Sequence, residues 1–357
     1  MGEDMSRPFR FAVAGAGAIA GFYLDYCQRR ADKEGIVLAG ACDPVPGRAD
    51  TLTAKYGGRA YASMEAVCAD PDLDAVVILA PPPQHAPLAK QALQAGKHVL
   101  LEKPLAQSVD DGRTLVNLAA GSGLTLACSP FILLGDRQQR VKKLLAGGAL
   151  GRPVLAVADQ FHGALEMWHA GAAQFYRDSR GPLFDVGPYP LSLLIDWFGP
   201  VASVSASGGT LIPDRIGLDG KPFRVDVLDF VSAHLRFRSG VLARVDISNV
   251  DRGSNLHGLE IHGTAGSLSL SRLMDFNAEM TIAHGNSHDW VEREGDPSAK
   301  PANGVDWSAG VYELARAVRE RRAPANSASL GLRVLQTVFA IEEAARSGKH
   351  IAIEAFS

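Results

Sequence analysis

A lysine at the end of an apolar run is the residue of this chain best placed for redox chemistry. The tripeptide Glu102-Lys103-Pro104 closes a run that begins at Gly96, about eighty residues after a glycine-rich turn. The proline favours an extended backbone at Lys103, so we expect the lysine to leave a strand where a nicotinamide ring could lie. A nucleotide-binding turn followed by such a lysine predicts a redox site rather than a binding fold alone.

The glycine-rich turn has the spacing of a dinucleotide-binding motif. It reads Gly15-Ala16-Gly17-Ala18-Ile19-Ala20 and joins a short apolar run to a helical pattern. Gly15 permits the tight turn, and Gly17 lets the backbone approach a pyrophosphate. The amides at the start of the helix, at Ala18 and Ile19, face the anion. The motif alone is a weak signal, because glycine turns also occur without a ligand.

A carboxylate at the end of the second strand strengthens the dinucleotide prediction. The apolar run 37–42 ends at Asp43, about 26 residues beyond Gly17. A carboxylate there can hydrogen-bond the ribose hydroxyls of adenosine and repel a 2′-phosphate. We therefore expect NAD as the cofactor and NADP as the less favoured one, with Arg48 on the following helix as the nearby residue that could offset this preference. The alternative is an ordinary surface aspartate.

Apolar runs alternate with helical patterns as far as residue 128, which predicts a doubly wound parallel sheet with helices on both faces. In such sheets, ligands bind outside the carboxyl ends of the strands. The candidate cofactor contacts at these ends are Gly15, Asp43, Ala80, Pro81, His85, Glu102 and Lys103. For His85, the alternative to a ribose or nicotinamide-side contact is a structural role at the start of a helix. We predict that residues 1–128 form an NAD(P)-binding Rossmann domain.

Beyond residue 128 the pattern changes to period-two alternation, which is typical of antiparallel strands with one solvent-facing side. It is clearest in 225–237 and 241–247, whereas 212–222 and 285–304 have the composition of loops. We expect residues 129–357 to form an α+β domain with a mostly antiparallel open sheet. Because no helix is expected to cover one sheet face, we also expect a homodimer or homotetramer.

Composition excludes several classes of function. The 357-residue chain has a formal net charge of −3 and a pI near 6.4, so it offers no basic surface for nucleic acid. Its four cysteines form no Cys-x-x-Cys pair, so neither a zinc site nor a disulfide framework is expected. No apolar run approaches the roughly 18 residues of a membrane span, and no signal peptide is expected ahead of the first strand. These features predict a soluble cytoplasmic protein.

Two segments resemble one enzyme family. Residues 95–104 read Ala-Gly-Lys-His-Val-Leu-Leu-Glu-Lys-Pro, and residues 181–190 read Gly-Pro-Leu-Phe-Asp-Val-Gly-Pro-Tyr-Pro. With the Gly15 turn, they are similar to the glucose-fructose oxidoreductase / inositol dehydrogenase (Gfo/Idh/MocA) family over essentially the whole chain. The resemblance implies a Rossmann domain and then an α+β domain. It also implies an NAD(P)-dependent oxidoreductase that moves hydride between nicotinamide and a carbohydrate-like alcohol or ketone.

The resemblance implies roles for three residues. The family's catalytic or cofactor-positioning lysine matches Lys103, and its acid/base residue matches Tyr189. Asp185 lies four residues before Tyr189, so the two would share one face of a helix, with Asp185 as the orienter or substrate ligand. Oxidation of an alcohol requires a group that shares the hydroxyl proton as hydride leaves. The alternatives are a salt bridge between Lys103 and Glu102, a packing role for Tyr189 and a helix cap at Asp185.

An aromatic loop ahead of Asp185 is the predicted substrate loop. Sugars stack their CH groups on aromatic rings and bond their hydroxyls to polar side chains. The candidate substrate contacts are Trp168, His169 and Tyr176. The alternative is a hydrophobic plug under a long connection. A metal site that combines His162, His169 and Glu166 is not expected, because the loop lacks regular ligand spacing.

The chain departs from the family pattern at three places, one of which is the segment 129–134, where mostly apolar residues replace the polar residues common after the sixth strand. Ala80-Pro81-Pro82 stands where Thr-Pro-Asn is frequent, and Ser192 stands where an acidic residue is frequent. The change at Ala80-Pro81-Pro82 removes an asparagine amide and a hydroxyl from the cofactor cleft. Two further functions remain open on the same fold. One is a cofactor-retaining glycosidase or epimerase that uses transient oxidation, and the other is a redox-inert ligand sensor in which Lys103 would be expendable.

Overall fold

The computed structural model describes residues 7–285, 289–290, 292–294 and 304–354. In chain order the strands are β1 Phe9–Ala14, β2 Ile36–Cys42, β3 Arg59–Ala60, β4 Ala75–Ile78, β5 His98–Leu101, β6 Leu126–Cys128, β7 Pro153–Phe161, β8 Val201–Gly209, β9 Asp214–Ile216, β10 Pro222–Arg224, β11 Phe230–Phe237, β12 Leu242–Ser248, β13 Leu259–Gly263, β14 Gly266–Leu270, β15 Met280–His284, β16 Glu292–Glu294 and β17 Ile351–Ala352. The helices are α1 Ala18–Glu34, α2 Arg48–Tyr56, α3 Met64–Cys68, α4 His85–Gln94, α5 Val109–Ser122, α6 Asp136–Ala146, α7 Ala172–Ser179, α8 Pro182–Asp185, α9 Pro188–Phe198, α10 Ala309–Glu320 and α11 Ala328–Ser347.

The chain divides into two compact units. The first comprises Met1–Leu134 with Asp306–Leu332, and the second comprises Gly135–Val305 with Arg333–Ser357. This division differs from the predicted one, which placed everything after residue 128 in the second domain.

The segment Asp306–Leu332 belongs to the first unit because it packs against that unit's sheet. Helix α10 packs against β5 and β6, and the amide of Cys128 donates to the carbonyl of Asn326 at 2.8 Å. Periodicity along the chain does not reveal such a return, since the contact joins residues about 200 positions apart.

The first unit is built on a six-stranded parallel sheet in the order β3-β2-β1-β4-β5-β6. Its central strands are mostly apolar, as expected for strands buried on both faces, with Arg10 as the charged residue of β1. Every residue of β4 is buried, for example. The reversal of strand order beside β1 creates the crevice in which open parallel sheets bind ligands. The predicted doubly wound parallel sheet is confirmed.

The second unit is built on a nine-stranded sheet in the order β16-β15-β14-β13-β7-β12-β11-β8-β17. Its strand pairs are antiparallel apart from β7 and β12, which run parallel. The predicted mostly antiparallel sheet is therefore confirmed. The loop predicted over 212–222 is wrong in part, because it contains β9 and the start of β10, which pair as a small separate sheet. Most of the loop predicted over 285–304 lies outside the described residues.

Burial alternates along β7 and separates the two faces of this sheet. Ala156, Ala158 and Gln160 are buried on one face, and helix α9 packs against β7. Leu155 on the opposite face is exposed, as is Leu242, which pairs with it in register on β12. One face is thus covered by helices of the second unit, and the other carries exposed leucines.

Candidate active site

The glycine turn leaves room for a nucleotide at the start of helix α1. Gly15 has a φ of 101°, and a Cβ there would lie 2.7 Å from the amide nitrogen of Ala80. At Gly17, by contrast, a Cβ would meet nothing within 4 Å. Helix α1 begins at Ala18, so the amides of its first turn open onto the space beside Gly17. The turn therefore has the geometry that a dinucleotide-binding motif needs in order to bind a pyrophosphate.

Asp43 follows β2 and braces this turn. One carboxylate oxygen accepts the amide of Ala16 at 2.8 Å, and the other accepts the amide of Val45 at 2.8 Å. The guanidinium of Arg48 lies 3.9 Å from Asp43 Oδ1, and most of the Arg48 side chain is exposed. A carboxylate has about four acceptor positions, so Asp43 retains capacity for ribose hydroxyls. The Arg48 guanidinium is close enough to Asp43 to offset the repulsion between the Asp43 carboxylate and a 2′-phosphate.

His85, predicted as a ribose or nicotinamide-side contact, is buried and takes the alternative role. It is the first residue of helix α4. Its Nδ1 lies 2.7 Å from the carbonyl oxygen of Pro104, and its Nε2 lies 2.9 Å from that of Ala80. Burial lowers its pKa, although the two carbonyl contacts act the other way. Both ring nitrogens thus face main-chain carbonyls, of which a neutral imidazole can donate to only one, and the ring lies between the segment after β4 and the segment after β5.

Glu102 and Lys103 follow β5 on the same edge of the sheet. Glu102 Oε2 accepts the amide of Lys103 at 3.0 Å, and Oε1 accepts the hydroxyl of Tyr23. That hydroxyl also lies 3.1 Å from Ser129 Oγ, and the Lys103–Pro104 peptide bond is cis. Sequence reasoning missed Tyr23 and Ser129, because nothing in the pattern of α1 or β6 marks a polar partner for Glu102. We call Gly15, Asp43, Ala80, Glu102 and Lys103 the cofactor edge.

In the second unit, Asp185 and Tyr189 are both buried. They do not share one regular helix as expected, because α8 ends at Asp185 and α9 begins at Pro188. Gly187 lies between the helices, and a Cβ there would come within 2.3 Å of the carbonyl oxygen of Leu183. The tight junction requires glycine, so the chain turns between the two functional candidates.

Trp168 and His169 lie in the segment 162–169, which we call the aromatic segment. Trp168 is 53% exposed, and its ring centroid lies 5.6 Å from those of both His162 and His169 in edge-on contacts. Tyr176, the third predicted substrate contact, is 2% exposed and packs with Leu165 in a buried cluster. The structure thus presents an indole to solvent, whereas the tyrosine lies in the core.

Arg215 of β9 anchors the aromatic segment through a fully buried guanidinium. Its Nη1 donates to both Glu166 oxygens, at 3.0 and 2.8 Å, and its Nη2 donates to Asp229 at 2.7 Å. The carbonyls of Ile212 and Asn249 accept its remaining bonds at 3.0 and 3.1 Å. Glu166 is therefore a structural acid and not a ligand. Sequence reasoning missed Arg215, because it stands in a segment with the composition of a loop.

Two cavities bear on where ligands bind. One of about 830 Å³ lies in the first unit near His98 and Leu124, at the amino ends of β5 and β6. It lies at the edge opposite the cofactor edge, so it is not the predicted nucleotide site. The other, of about 350 Å³, lies at the carboxyl end of β7 beside His162 in the second unit.

In the part of the chain that the structure describes, no group of three or more His, Cys, Asp or Glu side chains could hold a metal ion. Within the same residues, no helix is long and apolar enough to span a bilayer.

Two family models match this chain. Residues 9–129 match the oxidoreductase family with an NAD-binding Rossmann fold, and residues 138–269 match the GFO/IDH/MocA C-terminal domain. The chain therefore belongs to the GFO/IDH/MocA family, which confirms the resemblance. It is an NAD(P)-dependent oxidoreductase.

Similar proteins extend along most of the chain. It is 27% identical over 303 residues to a 1,5-anhydro-D-fructose reductase from Ensifer adhaerens, with 83% of this chain and 85% of the relative covered. It is 24% identical over 291 residues to a scyllo-inositol 2-dehydrogenase (NAD(+)) from Bacillus subtilis (strain 168), with 80% and 81% covered. The WlbA dehydrogenase from Bordetella pertussis, solved with NADH and UDP-GlcNAcA, has a TM-score of 0.82 at 23% identity over 99% of this chain and 100% of that chain. This last likeness shows the fold alone.

Proposed function

We propose that the protein transfers hydride between NAD and a secondary alcohol or ketone of a sugar-like substrate. The observation that carries this proposal is the cofactor edge, where residues following four strands, among them the polar Asp43, Glu102 and Lys103, gather at the carboxyl ends of one parallel sheet. Relatives named for 1,5-anhydro-D-fructose and scyllo-inositol support a sugar-like substrate.

The residues of the cofactor edge fit NAD. Gly17 gives the pyrophosphate close access to the backbone, and the amides of Ala18 and Ile19 bind its charge. Asp43 accepts bonds from the adenosine ribose and repels a 2′-phosphate, which favours NAD over NADP. When bound, NAD supplies the hydride acceptor or donor at its nicotinamide ring.

Three side chains carry the proposed proton chemistry. The ammonium of Lys103 hydrogen-bonds the reacting oxygen and stabilises negative charge that develops on it. The hydroxyl of Tyr189 exchanges the proton with that oxygen, and the carboxylate of Asp185 orients the substrate. Trp168 and His169 contribute an apolar ring and a polar ring for the sugar. Tyr176 is not included, because its burial supports a packing role.

The test is a dehydrogenase screen over sugars, inositols and sugar acids with both cofactors. Net reduction of added NAD supports the proposal. Turnover of a sugar without net reduction would instead indicate a cofactor-retaining glycosidase or epimerase. Lys103→Ala should lower kcat by about a hundredfold or more while NAD still binds. Binding without turnover, with Lys103→Ala indistinguishable from wild type, would identify a sensor.

Tyr189→Phe separates proton transfer from packing, because it deletes only the hydroxyl. We expect a folded protein that binds NAD and has lowered turnover. Unchanged turnover, while a deuterium isotope effect shows that hydride transfer limits the rate, would remove Tyr189 from the proton path. His169 and Lys103 would then be the remaining candidates.

We also propose a homodimer or a dimer of dimers in the cytoplasm. The exposed pair Leu155 and Leu242 on the uncovered sheet face supports self-association. None of the four cysteines forms a disulfide bond in the part of the chain that the structure describes, which fits a reducing compartment. Light scattering at micromolar concentration tests the assembly, and Leu155→Asp should shift the mass toward a monomer. A wild-type monomer would contradict the proposal.

A further inference from the structure

Glu102 is a buried acid that the proposed proton chemistry does not use. It follows β5 and is 8% exposed. Its Oε1 accepts the hydroxyl proton of Tyr23, and its Oε2 accepts the amide of Lys103 at 3.0 Å. Burying a charge is costly unless hydrogen-bond donors hold it, so this carboxylate needs an explanation in binding or chemistry.

The hydrogen bonds around Glu102 all run toward its carboxylate. Tyr23 has one hydroxyl proton and donates it to Glu102 Oε1. In the 3.1 Å contact between Tyr23 and Ser129, the serine hydroxyl is therefore the donor. Tyr23 and Ser129 are both buried. An ionised carboxylate accepts at both oxygens and donates at neither, so this set of donors fits the charged form of Glu102.

The two groups that donate to Glu102 are neutral, and its surroundings are rigid. A phenol hydroxyl and a main-chain amide hold the negative charge by hydrogen bonds without cancelling it. The ring of Tyr23 packs edge-on against Phe131, at 5.7 Å between centroids, and lies 5.9 Å from the ring of Trp307. The charge is thus fixed among apolar rings, where the effective dielectric constant is lower than in water and a charge acts more strongly at a given distance.

The order of the strands puts Glu102 on one side of the cofactor edge and Asp43 on the other. Asp43 follows β2, the glycine turn follows β1, and Glu102 follows β5, with β4 between β1 and β5. With the adenosine ribose at Asp43 and the pyrophosphate at the turn, the nicotinamide half of NAD extends toward β4 and β5. Glu102 therefore brings a negative charge to the nicotinamide side.

We propose that Glu102 makes the protein bind NAD⁺ more tightly than NADH, and that Tyr23 and Ser129 hold its carboxylate for this purpose. The nicotinamide ring of NAD⁺ carries a positive charge, which is lost when the ring accepts hydride. A fixed negative charge on that side of the sheet stabilises the charged ring and not the neutral one. The inference rests on the proposed function for the identity of the cofactor and adds a preference for its oxidation state.

This preference favours one direction of hydride transfer. Tighter binding of NAD⁺ makes the bound cofactor harder to reduce, by about 30 mV for a tenfold difference in affinity in a two-electron couple. In the favoured direction, the carbonyl carbon of a ketone accepts hydride from NADH and its oxygen accepts a proton, which gives an alcohol and NAD⁺. Glu102 therefore favours ketone reduction on the protein.

The binding test uses the full chain without substrate, with NAD⁺ and NADH as the probes. Calorimetry gives both dissociation constants for wild type and for Glu102→Gln, which keeps the size of the side chain and removes its charge. The ratio of the NADH constant to the NAD⁺ constant should fall by roughly tenfold in the variant. Asp110→Asn, the same loss of charge at a side chain that is 91% exposed, should leave the ratio unchanged. Lys103 is present in all three proteins, so its charge does not contribute to the difference.

Two further variants separate the charge of Glu102 from its shape. Glu102→Asp keeps the charge and moves it by one methylene, so the ratio should stay within about threefold of wild type. Tyr23→Phe keeps the aromatic ring and deletes the hydroxyl that holds the carboxylate, so the ratio should fall, but by less than in Glu102→Gln.

A purely structural role for Glu102 predicts a different result. Glu102→Gln would then lower the melting temperature and weaken the binding of NAD⁺ and NADH equally. An unchanged ratio in Glu102→Gln, or an equal fall in Glu102→Asp and Glu102→Gln, would overturn the proposal. If Glu102→Gln does not fold, Tyr23→Phe decides, and an unchanged ratio in that variant would overturn the proposal.

Turnover separates this inference from the proposed function, because the ratio of dissociation constants is measured without a substrate. Tighter binding of NAD⁺ than of NADH that is lost in Glu102→Gln, together with no turnover of any sugar in the screen, would support the inference and contradict the proposed function. Turnover of a sugar with the same ratio in wild type and Glu102→Gln would do the reverse.

Discussion

The cofactor edge and the aromatic segment are held in place by different kinds of interaction. At the cofactor edge, Asp43 and His85 bond to main-chain amides and carbonyls. The aromatic segment depends on side-chain charges, because Glu166 is gripped by the buried guanidinium of Arg215. The first arrangement follows from where strands end, whereas the second depends on a pairing across 49 positions.

This difference predicts which kind of substitution disrupts each site. The main-chain partners at strand ends stay in place while the sheet persists, so the cofactor edge should be more sensitive to changes that move the backbone than to side-chain changes away from Asp43 and His85. A buried ion cluster behaves in the opposite way, because removing one charge leaves its partners desolvated and unpaired. Four predictions test this contrast.

The largest expected effect is on the stability of the second unit. Arg215→Met leaves the carboxylates of Glu166 and Asp229 buried without their cation, which should cost about 3–5 kcal/mol of unfolding free energy. Urea denaturation measures this cost. Arg224→Met, which removes an exposed ion pair on the adjacent strand, should change stability little.

A double variant identifies the cause of that loss. Adding Glu166→Gln to Arg215→Met removes one of the unpaired buried charges and should restore part of the lost unfolding free energy. If the double variant is less stable than Arg215→Met, packing rather than uncompensated charge explains the effect.

Alkaline pH should reveal the burial of Tyr176, whose ring centroid lies 5.0 Å from the guanidinium carbon of Arg215. Burial raises the pKa of Tyr176 to about 12, from an ordinary value of 10.0. The unfolded chain therefore loses this proton first, so the contribution is complete below about pH 10 and falls as pH rises toward 12. A shift of about two units corresponds to about 3 kcal/mol. The stability difference between wild type and Tyr176→Phe should fall over this range, and a constant difference would contradict the burial.

At the cofactor edge, a backbone change should have the stronger effect. Gly15→Ala forces an alanine into a φ of 101° and against the amide of Ala80, which should cost about 1–3 kcal/mol and abolish NAD binding. Gly96→Ala is the matched control, since Gly96 has a φ of 76° but open space around its Cβ. Gly96→Ala should lower stability through backbone strain and leave NAD affinity unchanged. Equal NAD affinity in both variants would remove the clash as the cause.

The smallest expected effect is on the choice between cofactors. Asp43→Asn removes the negative charge, so the ratio of NADP to NAD dissociation constants should fall by about tenfold, or about 1.4 kcal/mol. Arg48→Ala should move the ratio in the opposite direction, because its guanidinium lies 3.9 Å from Asp43. A wild-type protein that binds NADP tenfold more tightly than NAD would contradict the role given to Asp43.

The parallel sheet and the glycine turn could be predicted from the sequence because each has a local physical cause. Buried parallel strands require continuous apolar runs, and the positive φ at Gly15 requires glycine. Consecutive strands of such a sheet end at the same edge, so Asp43 and Lys103 could be assigned to it without coordinates. Their chemical roles remain predictions.

The sequence by itself thus determined the fold class, the cofactor edge and the family. Only the tertiary structure decided that Tyr176 is buried, that both nitrogens of His85 face main-chain carbonyls, and that Arg215 holds Glu166. Burial and ion pairing depend on which distant segments meet, and a residue's type does not reveal its partner. The sequence does not show whether a tyrosine or a glutamate lies in a substrate loop or in the core. Packing between distant segments decides which of these positions it takes.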